Sequence, residues 1–166
     1  MSGNRQLGLH WGIKRSFMDY IAAISDGQAL ATDGATPTAG NVVMFEPAPP
    51  PPPEPEDADL MLAFRGDVRF SGHSGLLFVR IIDPWISVHG RDAVLTVRDP
   101  NKPDSRPRLP LARFTLEPRP ASGDIRIWVS KIVQLAEEGT VLFNDVYPAG
   151  EAMEPLAVFI RGSTLR

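Results

Sequence analysis

From Leu60 to Arg161 the chain is a succession of short apolar runs, each stopped by Gly, Pro, Asn or Asp, and this restricts the architectures open to it. Leu60, Leu62 and Phe64 alternate, Gly66 interrupts, and Val68 and Phe70 resume the alternation. A glycine inside a strand marks a bulge that re-aims the residues beyond it. Gly72-His73-Ser74-Gly75 reads as a tight corner into a strand over 76–82, stopped by Asp83-Pro84. Strands follow over 85–89, 93–98, 111–117 and 124–130, with 131–135 continuing the last. Segments 140–143 and 156–161 complete the set, and 99–110 reads as a polar, Pro-punctuated loop. Many short strands with frequent turn signals predict an antiparallel β-sandwich or open barrel. The fold class is therefore mainly β, with one short α-helix near the N-terminus.

That helix is expected in segment 9–21, with an apolar entry at Leu9 and Trp11. Ile13, Phe17, Tyr20 and Ile24 recur at intervals of 4, 3 and 4, one stripe of a 3.6-residue helix. Ser16 lies one turn before Tyr20, so hydroxyl and phenol can face the same cavity. Ser25-Asp26-Gly27 is a C-terminal stop, with Gly suited to a left-handed residue. A helix this short is marginal alone and must be held by packing on the strands. Strands over 28–32 and 41–45 follow, separated by a Gly- and Pro-bearing loop over 33–40. Segment 47–56 is nearly all Pro, with Glu54 and Glu56, and reads as a stiff, solvated loop between two strands. A ligand for an SH3-type partner is the other reading of that segment.

At 166 residues the chain suits one domain over 1–166, with mass enough for a core. A net charge of −3 without a basic block argues against nucleic acid as a partner, because phosphate binding relies on clustered Lys and Arg. No apolar run approaches the roughly 20 residues that a membrane span needs. The first residues lack the apolar core of a secretory signal, from which a cytoplasmic location is expected. With no Cys, disulfides, thiolate metal sites and thiol nucleophiles are all excluded. There is no phosphate-binding Gly-rich loop, no His-Glu-x-x-His and no Gly-x-Ser-x-Gly. Asp57, Asp59, Asp83, Asp92 and Asp99 are dispersed at turns, with no visible pairing.

Three blocks carry a family resemblance. The first is Leu9-His10-Trp11-Gly12-Ile13-Lys14 with Ser16-Phe17 and Tyr20-Ile21. The second runs from Phe64-Arg65-Gly66-Asp67 through Gly72-His73-Ser74-Gly75 to Leu76-Leu77. The third is Gly139-Thr140-Val141-Leu142-Phe143, then Tyr147, Gly150 and Pro155. In this order they resemble the HtaA domain, the heme-binding module of actinobacterial heme-uptake proteins. The resemblance implies that Tyr20 binds heme iron through its phenolate, that His73 hydrogen-bonds Tyr20, and that Ser16 lies beside the heme; Phe17, as apolar wall, joins them as a heme-binding candidate. A phenol, with a reference pKa near ~10, is a poor ligand at neutral pH unless the metal and a hydrogen-bond donor favour its ionised form. Tyrosinate is a known axial ligand of heme.

Read without the resemblance, Tyr20 is a core aromatic, His73 a turn residue and Ser16 an exposed helix serine. His10 and His89 match no ligand position of the family, although His10 abuts the helix start and can border the pocket. Phe17, Trp11 and Ile21 can supply apolar wall or core. The resemblance implies heme b as cofactor, and as partners heme, a heme donor or acceptor protein, and a second copy in a homodimer. Three functions follow: an intracellular heme carrier or buffer, a heme-dependent oxidoreductase using the open heme face, and a heme-free interaction module.

Overall fold

Leu9 and Trp11, two residues apart, lie fully buried on one face of a strand, β1 (Gly8–Trp11), where a helix was expected to begin. The structure is a computed structural model that describes residues 6–52, 57–102 and 108–165. Burial of every second residue is the signature of a half-buried strand. The Trp11 indole gains a fixed partner there, its N–H donating to the Glu154 carbonyl at 2.8 Å. Ile13 then turns the chain with φ 61°, uncommon for a β-branched residue. Its side chain is fully buried and its carbonyl accepts the Glu154 N–H at 2.8 Å, which holds the turn.

Helix α1 (Arg15–Ala23) starts only after this turn. Lys14 caps it without a side-chain hydrogen bond; instead the Glu154 carboxylate accepts the Arg15 N–H at 3.0 Å. A negative charge at a helix N-terminus satisfies an orphan donor and complements the dipole. Phe17 and Ile21, four apart, are the buried face. The expected stripe through Ile13, Tyr20 and Ile24 is not formed, because Ile13 and Ile24 lie outside the helix and Tyr20 is half exposed.

The rest is strand: β2 (Gln28–Thr32), β3 (Ala35–Thr38), β4 (Val42–Ala48), β5 (Leu60–Arg65), β6 (Asp67–Gly72), β7 (Leu77–Ile82), β8 (Trp85–His89) and β9 (Asp92–Val97). They are followed by β10 (Leu109–Thr115), β11 (Glu117–Ser122), β12 (Ile125–Ser130), β13 (Val133–Leu135), β14 (Ala152–Met153) and β15 (Leu156–Arg161). A twelve-stranded sheet runs in the order β11-β12-β15-β1-β4-β5-β8-β9-β10-β13-β14, with β3 joined to β4, and curls as an open half-barrel. A second sheet has the order β2-β6-β7. Every strand pairing among the described residues is antiparallel.

Several segments depart from expectation for physical reasons. β3, which carries Pro37, falls in the loop expected over 33–40. Most of β11, which carries Pro118 and Pro120, falls in the gap between the strands expected over 111–117 and 124–130. Each pairs with a single neighbour, so a missing N–H on the open side costs no ladder bond. Pro47 lies opposite Phe64, one residue before the end of β4, and 49–52 of the proline segment are irregular; 53–56 lie outside the described residues. Segment 140–143 belongs to a 3₁₀ helix, Glu137–Phe143, not to a strand. Gly139 packs so closely on the Leu111 backbone that a Cβ would lie 2.8 Å from its carbonyl oxygen. Gly66 is more than a bulge. With φ 154° it takes the chain from the large sheet (β5) into the small one (β6), and a Cβ there would lie 2.6 Å from Ala35 Cβ.

The core under the sheets includes Phe45, Phe64, Phe70, Leu95 and Leu111, all essentially inaccessible. Asp67, at 3% exposure, is the buried charge of β6. It accepts from Arg80 Nη2 at 2.7 Å and Nε at 3.1 Å, and from Arg69 Nη2 at 3.0 Å. Burial alone would raise this carboxyl, but the hydrogen bonds from Arg80 and Arg69 and their charges outweigh it and hold it below the usual carboxylate range. A group depressed in this way stabilises the fold above its unfolded pKa, and the contribution is lost as pH falls through the folded value. Asp67→Asn should therefore cost about 1–2 kcal/mol at pH 7, the partly exposed guanidiniums limiting the figure. In urea denaturation the gap between variant and wild type should close as pH drops below the carboxylate range. No helix among the described residues is long and apolar enough to cross a membrane.

Candidate functional site

Because α1 buries Phe17 and Ile21, Tyr20 points away from the core, 46% exposed. Its hydroxyl meets His73 Nε2 in a short hydrogen bond. His73 reaches that position through an unusual corner. Beyond β6, His73, Ser74 and Gly75 all take left-handed backbone angles, with φ 51°, 57° and 88°. The Asp26 carboxylate, just past α1, accepts the N–H of His73 at 3.0 Å and of Ser74 at 2.7 Å. Those two amides, Ser74 foremost, hold the Asp26 carboxyl below its ordinary range. The Tyr20–His73 pair suits both ionisation states of the phenol. A neutral O–H donates to bare Nε2, and a phenolate accepts from Nε2–H.

The pair stands in a cleft of about 610 Å³, within the range of ligand pockets. Ser16, Phe17 and Tyr20 line it from α1, and His73, Leu76 and Leu77 from the corner and β7. Phe143, Asn144, Val146 and Tyr147 form the remaining wall. Phe17 is wedged edge-on between Phe70 and Phe143, at centroid distances of 5.3 and 5.4 Å. Phe143 in turn meets Tyr147 at 5.8 Å. Leu76 and Val146 stand in the open, 88% and 65% exposed, so the lining is apolar and reaches solvent. Exposed apolar surface around a concavity marks a ligand or partner site.

All four residues singled out from the sequence, Ser16, Phe17, Tyr20 and His73, thus line one cleft. Trp11 and Ile21 do not; both belong to the core. His10 is turned away, hydrogen-bonded to the Gln6 carbonyl and edge-on to Phe159, and His89 lies beside Asp57. Sequence reasoning missed Leu76, Leu77, Phe143, Asn144, Val146 and Tyr147 as lining. Reading 140–143 as a strand hid Phe143, and Asn144, Val146 and Tyr147 beyond it were given no place in a cleft. Asp26 was read only as part of a helix stop.

A larger groove, about 720 Å³, runs along Ala93, Phe114 and Ile132, but Asp92, Arg113, Glu117 and Lys131 make its lining charged. Among the described residues no three His, Cys, Asp or Glu side chains come together to hold a metal ion. A lone phenol oxygen suffices as a metal ligand only where the metal brings its other ligands with it, as iron in a porphyrin does. Apolar walls and a single phenol oxygen fit such a group.

The HtaA family model, described as Htaa, matches residues 6–159. The chain belongs to the HtaA family. Solved structures of HtaA domains share its fold. The C-terminal domain of HtaA from Corynebacterium glutamicum is 21% identical, with a TM-score of 0.68, covering 92% of this chain and 96% of that one. The N-terminal domain of the same HtaA is 23% identical, with a TM-score of 0.66 and coverages of 94% and 99%. The heme binding protein HtaB of that organism is 18% identical, with a TM-score of 0.67 and coverages of 92% and 91%. No curated protein matches the sequence.

Proposed function

We propose that this HtaA domain binds ferric heme b in the cleft between α1 and the 73–77 corner, where the Tyr20 phenolate oxygen would hold the iron, and that it acts as a heme carrier or buffer. The observation that carries this reading is the Tyr20–His73 hydrogen bond inside an apolar cleft. The name of its fold neighbour HtaB, a heme binding protein, supports it. Ferric heme would supply a strongly charged metal that favours the ionised phenol. The chain's own residues do the rest. His73 Nε2–H donates to the phenolate oxygen, a charge-assisted bond that fixes the ring and opposes reprotonation. Phe17, Leu76, Leu77 and Phe143 exclude water along the walls, and Ser16 and Asn144 add polar edges.

The lining also favours carriage over catalysis. Apart from Tyr20, its titratable side chains among the described residues are His73, engaged with Tyr20, and Tyr147. Peroxide chemistry needs an acid–base group free to move a proton. Hemin titration should yield high-spin ferric-tyrosinate bands with the wild type. His73→Ala should keep its circular dichroism and hold hemin about 10- to 100-fold more weakly, the usual cost of losing a residue that orients a metal ligand. A wild-type protein without those bands would sink the reading. Peroxide turnover above that of free hemin would transfer it from carrier to oxidoreductase.

A further inference from the structure

We infer that Asp26 is a positioning residue of the heme site, a third member that locks the helix bearing the ligand to the corner bearing its hydrogen-bond partner. This rests on the heme reading above. Consecutive left-handed residues other than Gly are costly, each sitting in a sparsely populated backbone region. His73 and Ser74 are such a pair, and the imidazole reaches Tyr20 only because the corner adopts that shape. One carboxylate takes the amide protons of both residues, at 3.0 and 2.7 Å. A two-oxygen acceptor can satisfy two adjacent donors at once, which a hydroxyl or a single amide oxygen does less well.

Asp26 is itself tied to α1. The Ile24 N–H donates to the Tyr20 carbonyl at 3.1 Å, so the chain leaves the helix directly beneath the ligand residue. Gly27 N–H donates to the Ile24 carbonyl at 3.2 Å and completes the tight exit. A Cβ on Gly27 would overlap the Ile21 carbonyl, so this Gly serves close approach, not the left-handed turn expected of it. On the other side, a Cβ on Gly72 would overlap the Ile24 side chain and lie 3.8 Å from Asp26 Oδ1. The helix exit and the corner are pressed together, and Asp26 is the polar bond across the join. Tyr20 and His73 are 53 residues apart in the chain, and this contact sets their relative position.

The test measures hemin dissociation from the full chain into excess apomyoglobin, for wild type, Asp26→Ala, His73→Ala and the double variant. If Asp26 acts through His73, Asp26→Ala accelerates loss about 10- to 100-fold, and the double variant is no faster than His73→Ala. An unchanged rate in Asp26→Ala, or a double variant whose acceleration is the product of the two single ones, overturns the inference. Asp26→Asn keeps the size and one acceptor oxygen, so it covers the case in which Asp26→Ala does not fold. A rate between wild type and His73→Ala supports the inference, and the wild-type rate overturns it. Wild-type protein without tyrosinate bands defeats the heme reading itself, whereas normal bands with unaltered rates in both Asp26 variants defeat only the role of Asp26.

Discussion

Tyr20→Phe should abolish the ferric-tyrosinate bands and lower hemin affinity by more than the roughly 100-fold that bounds the loss of a merely supporting residue. The ring is kept and only the oxygen is removed, so apolar packing in the cleft is preserved. Because Tyr20 is 46% exposed, its hydroxyl contributes little to folding. The variant should match wild type in urea denaturation to within about 1 kcal/mol. A large loss of hemin with unaltered stability is the expected pattern. Retention of the bands in Tyr20→Phe would assign the iron to another residue.

Phe17→Ala should do the opposite and injure both properties. Phe17 is 4% exposed, faces the cleft and packs edge-on against Phe70 and Phe143. Truncating a buried phenylalanine costs about 3–5 kcal/mol through lost burial and the cavity left behind. For a chain of this size that lowers Tm by on the order of 10 °C. The same change opens the cleft wall to water, so hemin should also be held more weakly at a temperature where the variant is folded. Phe17→Leu should recover most of the stability. A Phe17→Ala protein as stable as wild type would mean that the aromatic trio does not join α1 to the sheets.

Strands with turn residues on both sides were legible at residue level: β2, β8 and β15 begin and end where the sequence placed them. Failures came where local pattern and tertiary demand diverged. Leu9, read as the apolar entry of the helix, belongs to a strand, and Ile13, read on one stripe with Phe17, takes a left-handed angle ahead of α1. The prolines of β3 and β11 signal loop unless one knows that these strands sit at edges. The Tyr20–His73 contact spans two elements and leaves no local periodicity, so only the family blocks could join the two residues. Asp26 carries no sequence signal beyond its place in a helix stop, because its partners are backbone amides of a remote corner.

Strand β1 runs between β15 and β4, with Leu9 opposite both Val158 and Phe45. A sheet built around such a pairing cannot be assembled in the order in which the chain is synthesised. Its early strand keeps one edge bare until the last strand arrives, and closure across so long a separation is slow. Helix α1 hangs from β1, so the phenol is among the first chemical groups made and among the last brought to its working position. A chain cut before Leu156 would carry Tyr20, His73 and Asp26 in full, and still lack the strand that pairs with β1.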